Sequence, residues 1–176
     1  MDRELLIDQI NTAFVRGYVY FERDILAPQL NRLDVRAYRY DGYVARISSM
    51  KSYFDENMKM LDDANVSALF SGRNPIYTKI RDDHPARYIN GSKAANIMAA
   101  DGCVVEGEVE NSILFRGVRI GKGAKVKNCV LMQDTVVEAG AEMEYVVTDK
   151  NVTITAGKRL KGVDTFPVYV AKYRRV

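Results

Sequence analysis

The sequence predicts a mainly β chain whose second half is a parallel β-helix of 17-residue coils, preceded by a stretch of mixed helix and strand. Three observations carry that expectation. First, Val109-Glu-Asn-Ser-Ile-Leu114, Val126-Lys-Asn-Cys-Val-Leu131 and Met143-Glu-Tyr-Val-Val-Thr148 align without gaps at steps of 17, and Leu160 opens a fourth block. Second, Cys103, Ile120, Val137 and Ile154 keep the same step, three of them opening Ile-Gly-Lys-Gly, Val-Glu-Ala-Gly and Ile-Thr-Ala-Gly. Third, five-residue blocks at 115–119, 132–136 and 149–153 close each turn, so a coil reads as six, six and five residues.

Self-similarity at a fixed period marks a stacked-repeat architecture. The aliphatic openers and the small or branched residues four places later can point inward from short strands. Glycines then allow the dihedrals that corners need. Successive coils hydrogen-bond in parallel at about 4.8 Å, and one coil cannot bury its own apolar side, so several must stack. Residues 103–165 supply nearly four turns and Ile89–Gly102 a less regular one, giving a prism on the order of 20 Å tall. A sandwich of antiparallel hairpins fits a constant in-register step poorly.

The first 70 residues read differently. From Asp2 to Arg16, Leu5, Leu6, Ile10, Ala13 and Phe14 fall near helical spacing, with Gly17 as a stop. Residues 22–31 predict a short helix started or interrupted at Pro28. Val35–Tyr40 and Tyr43–Ile47 flank Asp41-Gly42, a two-residue hairpin signal. Ser48 and Ser49 are candidate caps for a helix over Lys51–Leu61 that shares Tyr53, Phe54, Met58 and Leu61 on one face. These pieces form no convincing core of their own.

Here the sequence acquires a resemblance. Gly42-Tyr-Val-Ala-Arg-Ile-Ser-Ser49 and Ser52-Tyr-Phe-Asp-Glu-Asn-Met-Lys-Met-Leu61 resemble the end of the nucleotidyltransferase domain of the glucose-1-phosphate adenylyltransferase family. Ile76-Tyr-Thr-Lys79, Asp101-Gly-Cys103, Val109–Phe115 and Asp149-Lys150 continue the match in order. The resemblance implies that 1–70 is the carboxy-terminal remnant of an α/β nucleotidyltransferase domain and 71–88 a connector. Residues 89–165 are then a left-handed β-helix of the hexapeptide-repeat type, and 166–176 a strand and basic tail. Handedness comes from the resemblance alone, since crossovers between parallel strands are ordinarily right-handed.

The implied family reaction joins ATP and glucose 1-phosphate into ADP-glucose and pyrophosphate. In active members the stretch equivalent to 42–49 reads approximately Gly-Tyr-Trp-x-Asp-Val-Gly-Thr, and its aspartate helps hold magnesium. This chain has Val44, Arg46 and Ser48 for the tryptophan, aspartate and glycine. A guanidinium has donors and no acceptor, so Arg46 cannot ligate a cation. No phosphate-cradling glycine-rich loop precedes a helix in this sequence. The expectation is therefore a fragment of a regulatory-type subunit, without catalytic residues, metal or cofactor of its own. Magnesium is expected only on a catalytic adenylyltransferase partner within a hetero- or homo-oligomer. The resemblance further implies that Arg116 and Arg119, in a Leu-Phe-x-x-Val-Arg stretch, help bind an anionic sugar-phosphate or nucleotide effector. Arginine forks suit phosphate oxygens.

Two rival readings are weaker. Hexapeptide-repeat acyltransferases need a histidine base, and the single histidine, His84, sits beside Pro85 outside the coils. A β-helical carbonic anhydrase needs three histidines for zinc. A pure scaffold remains compatible with the regulatory reading, and Phe166–Lys172 is a candidate strand for covering or extending the prism. The charge balance, 26 basic against 23 acidic residues, gives +3 and argues against nucleic acid. No run approaches a membrane span, and the start lacks a signal-peptide pattern, so a cytoplasmic address is expected. Cys103 and Cys129, without a CxxC pair, read as buried reduced thiols.

Overall fold

The computed structural model describes residues 1–70, 76, 77, 80 and 82–176. The chain divides into two compact units, Met1–Asp41 and Gly42–Val176. In the first, helix α1 (Arg3–Arg16) starts where the Asp2 carboxylate accepts from the Glu4 and Leu5 amides at 2.9 and 3.2 Å. It stops at Gly17, which takes the left-handed conformation at φ 67°. A π-helical turn, Phe21–Leu26, and a 3-10 turn, Ala27–Gln29, follow, the latter carrying Pro28. This unit buries Ile25 and Gln9, whose side-chain oxygen accepts from Gln29 Nε2 at 2.6 Å. The apolar residues expected on one helical face stay in solvent: Leu6, Ile10 and Phe14 are exposed.

The hairpin expected across Asp41-Gly42 does not form, and neither 35–40 nor 43–47 is a strand. Val35, Tyr38, Tyr40, Val44 and Ile47 are all exposed. Two isolated strands have no face to bury and are marginal in water, so a good turn signal is not enough. Tyr43 instead donates its hydroxyl to Glu56 Oε2 at 2.6 Å.

Helix α2 (Met50–Met58) begins at a capping box, in which Ser49 Oγ accepts from the Ser52 amide at 3.0 Å and Ser52 Oγ from the Ser49 amide at 2.9 Å. A 3-10 turn, Lys59–Leu61, and helix α3 (Asp63–Phe70) follow. Among the described residues no helix is long and apolar enough to cross a membrane.

From Arg87 onward the chain winds into a three-faced parallel prism. The first face stacks Arg87–Tyr88, Val104–Val105, Arg119–Ile120, Val136–Val137 and Thr153–Ile154. Lys93–Ala99 and Glu108–Leu114 each run across the second and third faces. In later coils Lys125–Lys127, Glu142–Glu144 and Arg159–Lys161 continue the second face. Val130–Leu131, Val146–Thr148 and Val168–Val170 continue the third. All of these strands pair in parallel, as the repeat predicts. Val168–Val170 extends the third face, so the tail strand adds a rung to the prism.

The register departs from the constant 17-residue step at both ends: Val146 pairs with Val168, 22 positions on, and in the early coils Lys93 pairs with Glu108 at an offset of 15. Ile120 lies opposite Val105, fifteen positions earlier, while Cys103 falls level with Val118. The cause of the early offset is the corner between the first and second faces. Val105 to Val109 spans four positions where Ile120 to Val126 spans six. Gly107 makes the short corner possible, because a Cβ there would collide with the Ala124 carbonyl and lie 2.8 Å from that of Gly121.

The interior is aliphatic. Val105, Leu114, Ile120, Val126, Leu131, Val137, Val146 and Ile154 are all essentially inaccessible. Three buried hydroxyls interrupt it: Ser112, whose Oγ donates to the Glu110 carbonyl at 2.7 Å, and Thr135 and Thr148, whose Oγ1 atoms hydrogen-bond to each other at 2.9 Å. Outside the third face, Phe54 of α2 packs on Val130 and Val147, flanked by Met50, Tyr53 and Met58. Valines that the repeat marks as outward are thus buried by the helix.

The corner between the second and third faces needs left-handed backbone at Asn96, Asn111, Asn128 and Tyr145, with φ of 49, 47, 50 and 52°. Asparagine tolerates this conformation better than other non-glycine residues. The three asparagines also form a ladder: Asn96 Nδ2 donates to Asn111 Oδ1 at 2.7 Å, and Asn111 Nδ2 to Asn128 Oδ1 at 2.6 Å. On the outer side of the second face, charges alternate down two columns, Lys93, Glu108, Lys125, Glu142, Arg159 and, after the uncharged Ala95, Glu110, Lys127, Glu144, Lys161.

Cys103 and Cys129 are free and fully buried. Burial raises the Cys103 thiol and pushes that of Cys129 up to about 12, despite backbone hydrogen bonds acting the other way. Since the thiolate is the nucleophile, neither cysteine should react with Ellman's reagent in the native protein at mildly alkaline pH. Both should react at once in guanidinium. A fast native reaction would show the interior to be open.

Candidate functional site

The arginines singled out in the sequence sit where the third face turns into the first. Phe115 leaves the third face with its amide donating to the Leu131 carbonyl at 2.9 Å. Arg116 follows at the corner, half-buried, and its carbonyl accepts from the Asp134 amide at 2.9 Å. Gly117 then turns the chain at φ 70°, with the Asp134 carboxylate lying where a Cβ would stand. Val118 goes inward, Arg119 outward and Ile120 inward. The alternation is that of an ordinary strand, so Arg119 presents its guanidinium to solvent.

The corner is electrostatically mixed. The Gly117 amide donates to the Asp101 carbonyl at 3.1 Å, which puts Asp101 on the neighbouring coil, and Asp134 lies on the next. The face beyond is more cationic. The register runs Arg87, Val104, Arg119, Val136, Thr153, with Thr153 bridged to Arg175. Arg87 and Arg119 therefore share one outward column two rungs apart, about 10 Å at the usual strand spacing. Arg175 is ion-paired to Glu138 at 3.1 Å. Sequence reasoning missed Arg87, because a uniform 17-residue step puts it out of line with Arg119. The shortened Gly107 corner was the signal that would have aligned them.

The other residues scatter. Arg46 is exposed in the irregular stretch before α2. A guanidinium there does not fit a magnesium site, and among the described residues no group of three His, Cys, Asp or Glu could hold a metal ion. His84 is exposed, with Nδ1 3.0 Å from the Pro85 carbonyl oxygen. Of the stretch 76–79, Ile76 and Tyr77 are exposed, while Thr78 and Lys79 lie outside the described residues.

Comparison with known proteins agrees with this architecture. The family described as "GlmU-like, C-terminal hexapeptide" matches residues 82–166. The chain is similar to "Glycogen biosynthesis protein GlgD" of Bacillus subtilis, 38% identical over 127 residues, covering 72% of this chain and 37% of that protein. It is also similar to "Glucose-1-phosphate adenylyltransferase" of Geobacillus stearothermophilus, 39% identical over 122 residues, 68% of this chain and 31% of that one. A GlgD of the same organism is 49% identical over 70 residues, 40% of this chain and 20% of that one. The chain thus spans about a third of the first two relatives' length, and less of the third.

Proposed function

We propose, from the match of residues 82–166 to the GlmU-like carboxy-terminal hexapeptide family and the similarity to proteins named for glycogen biosynthesis and glucose-1-phosphate adenylyltransfer, that the chain serves regulation and assembly of an adenylyltransferase rather than its chemistry. In this reading it works in the cytoplasm beside a catalytic adenylyltransferase subunit, which supplies the magnesium. It carries no catalytic group itself. The observation that carries the reading is Arg46, an exposed cation in the stretch that needs a metal-binding carboxylate. Like charge repels magnesium, and a guanidinium offers it no lone pair.

The regulatory part rests on the arginines of the first face. Arg119 and Arg87, about 10 Å apart on a flat strand surface, suit a small anion with charge at both ends, such as a sugar bisphosphate. Arg116 at the adjoining corner is the third candidate. The chain assayed alone should form no ADP-glucose, and adding it to a catalytic subunit should change that subunit's rate or its effector response. Turnover by the chain alone overturns the non-catalytic reading, and an unchanged mixture overturns the regulatory one. In calorimetry with fructose 1,6-bisphosphate and with AMP, Arg119→Ala should weaken binding about tenfold or more. Equal heats from native and variant protein would remove Arg119 from the site.

A further inference from the structure

We propose a second, separate site for a neutral saccharide, in the groove between α2 and the asparagine corner of the prism. The groove encloses about 540 Å³ and is lined by Asn111, Asn128, Tyr145, Phe54, Asp55 and Asp164 among others. It stands independently of the regulatory reading and of the arginine face.

The asparagine ladder gives the groove its polarity. Each carboxamide donates to the next, from Asn96 through Asn111 to Asn128, so the chain of dipoles points one way. Such chains polarise their members and strengthen the terminal donor. The 17-residue repeat then puts Tyr145, which has no carboxamide oxygen, where a fourth asparagine would accept. Asn128 as a residue is 8% exposed, and among the described residues no buried side-chain polar atom lacks a partner, so its Nδ2, with no protein acceptor, opens on the groove. An amide donor at the mouth of a groove donates to water when the groove is empty and to an acceptor on whatever fills it.

The surroundings specify the rest of the ligand. Tyr145 offers an aromatic ring packed against that of Phe54, with centroids 6.1 Å apart, and such a ring can cover the C–H side of a pyranose. Asp55 and Asp164 both lie near Lys51 Nζ, at 2.5 and 3.7 Å, and keep further carboxylate lone pairs for hydroxyl donors. A ligand that accepts at one edge, donates at another and has an apolar flank is a polyol ring. Asp55, Glu56 and Asp164 outnumber Lys51 and Lys59 around the groove, an excess of negative charge that disfavours a phosphate, so the ligand is uncharged.

The test is an ¹⁵N-resolved titration of the chain with maltotriose and cellotriose, and with glucose 1-phosphate as the anionic counterpart. At least one trisaccharide should shift the Asn128 side-chain amide and the Tyr145 backbone amide saturably, at millimolar affinity. Glucose 1-phosphate should leave them unmoved. Asn128→Asp keeps the left-handed corner and the acceptor for Asn111 but removes the donor, and should weaken binding about tenfold with an unchanged spectrum elsewhere. Tyr145→Asn gives Asn128 Nδ2 an internal acceptor and should abolish binding while preserving the fold. No shift by either trisaccharide at tens of millimolar overturns the proposal. So does full binding by Asn128→Asp, or glucose 1-phosphate binding the groove more tightly than both sugars.

Discussion

Phe54→Ala should cost about 3–5 kcal/mol of unfolding free energy, although Phe54 lies outside the prism. Its ring is 2% exposed and covers Val130 and Val147, both fully buried beneath it. Truncation removes the largest apolar contact of α2 and opens two valines on a β-surface to water. It also leaves Tyr145 without its aromatic neighbour, 6.1 Å away and tilted by 55°. Besides lower stability in urea, rapid proteolysis should appear within 42–61, because the capping box and the Tyr43–Glu56 bond alone cannot hold a nine-residue helix in place. A loss below about 1 kcal/mol would mean that the helix is not seated there.

Leu131→Ala should cost about 2–5 kcal/mol and, unlike Phe54→Ala, should broaden the transition. Leu131 lies in the inward column Ala99, Leu114, Leu131, Thr148, Val170 and is fully buried. Each coil of a stacked repeat contacts only its neighbours, so a cavity at a middle rung weakens the couplings on both sides. Coils before and after it can then melt separately. Urea unfolding followed by circular dichroism should show a lower midpoint and a smaller apparent m-value. An unchanged slope would show that the stack unfolds as one body despite the cavity.

The prism was legible because its cause is local and repeated. Valine, isoleucine and leucine at fixed steps must face one way if coils stack, and the register confirms this at Val109, Val126, Met143 and Leu160. The step failed at Cys103 because two residues are absent from one corner, a gap that periodicity alone hides and Gly107 reveals only through the carbonyls around it. Val130 and Val147 read as outward on a strand, yet α2 covers them. That burial depends on a helix more than seventy positions earlier, which no local pattern reports. The Asp41-Gly42 turn misled for the opposite reason: its chemistry is favourable, but nothing packs on the strands it would join. As for the candidate sites, the sequence supplied Arg116 and Arg119, while Arg87 and the groove-facing amide of Asn128 emerged only from register and geometry.

The alternating charges on the second face bear on how copies of this molecule can meet. Lys93 lies on the first rung of that face, and Arg159 and Lys161 on the last, so both free edges are positive. Joining the end of one prism to the start of another would set lysine against arginine across strand spacing, where like charges oppose pairing. A slip by one rung inside the prism is penalised in the same way, as Glu108 would meet Glu142 in place of Lys125. The pattern thus discourages endless fibres built through this face, and leaves closed assemblies to surfaces that do not end in cations.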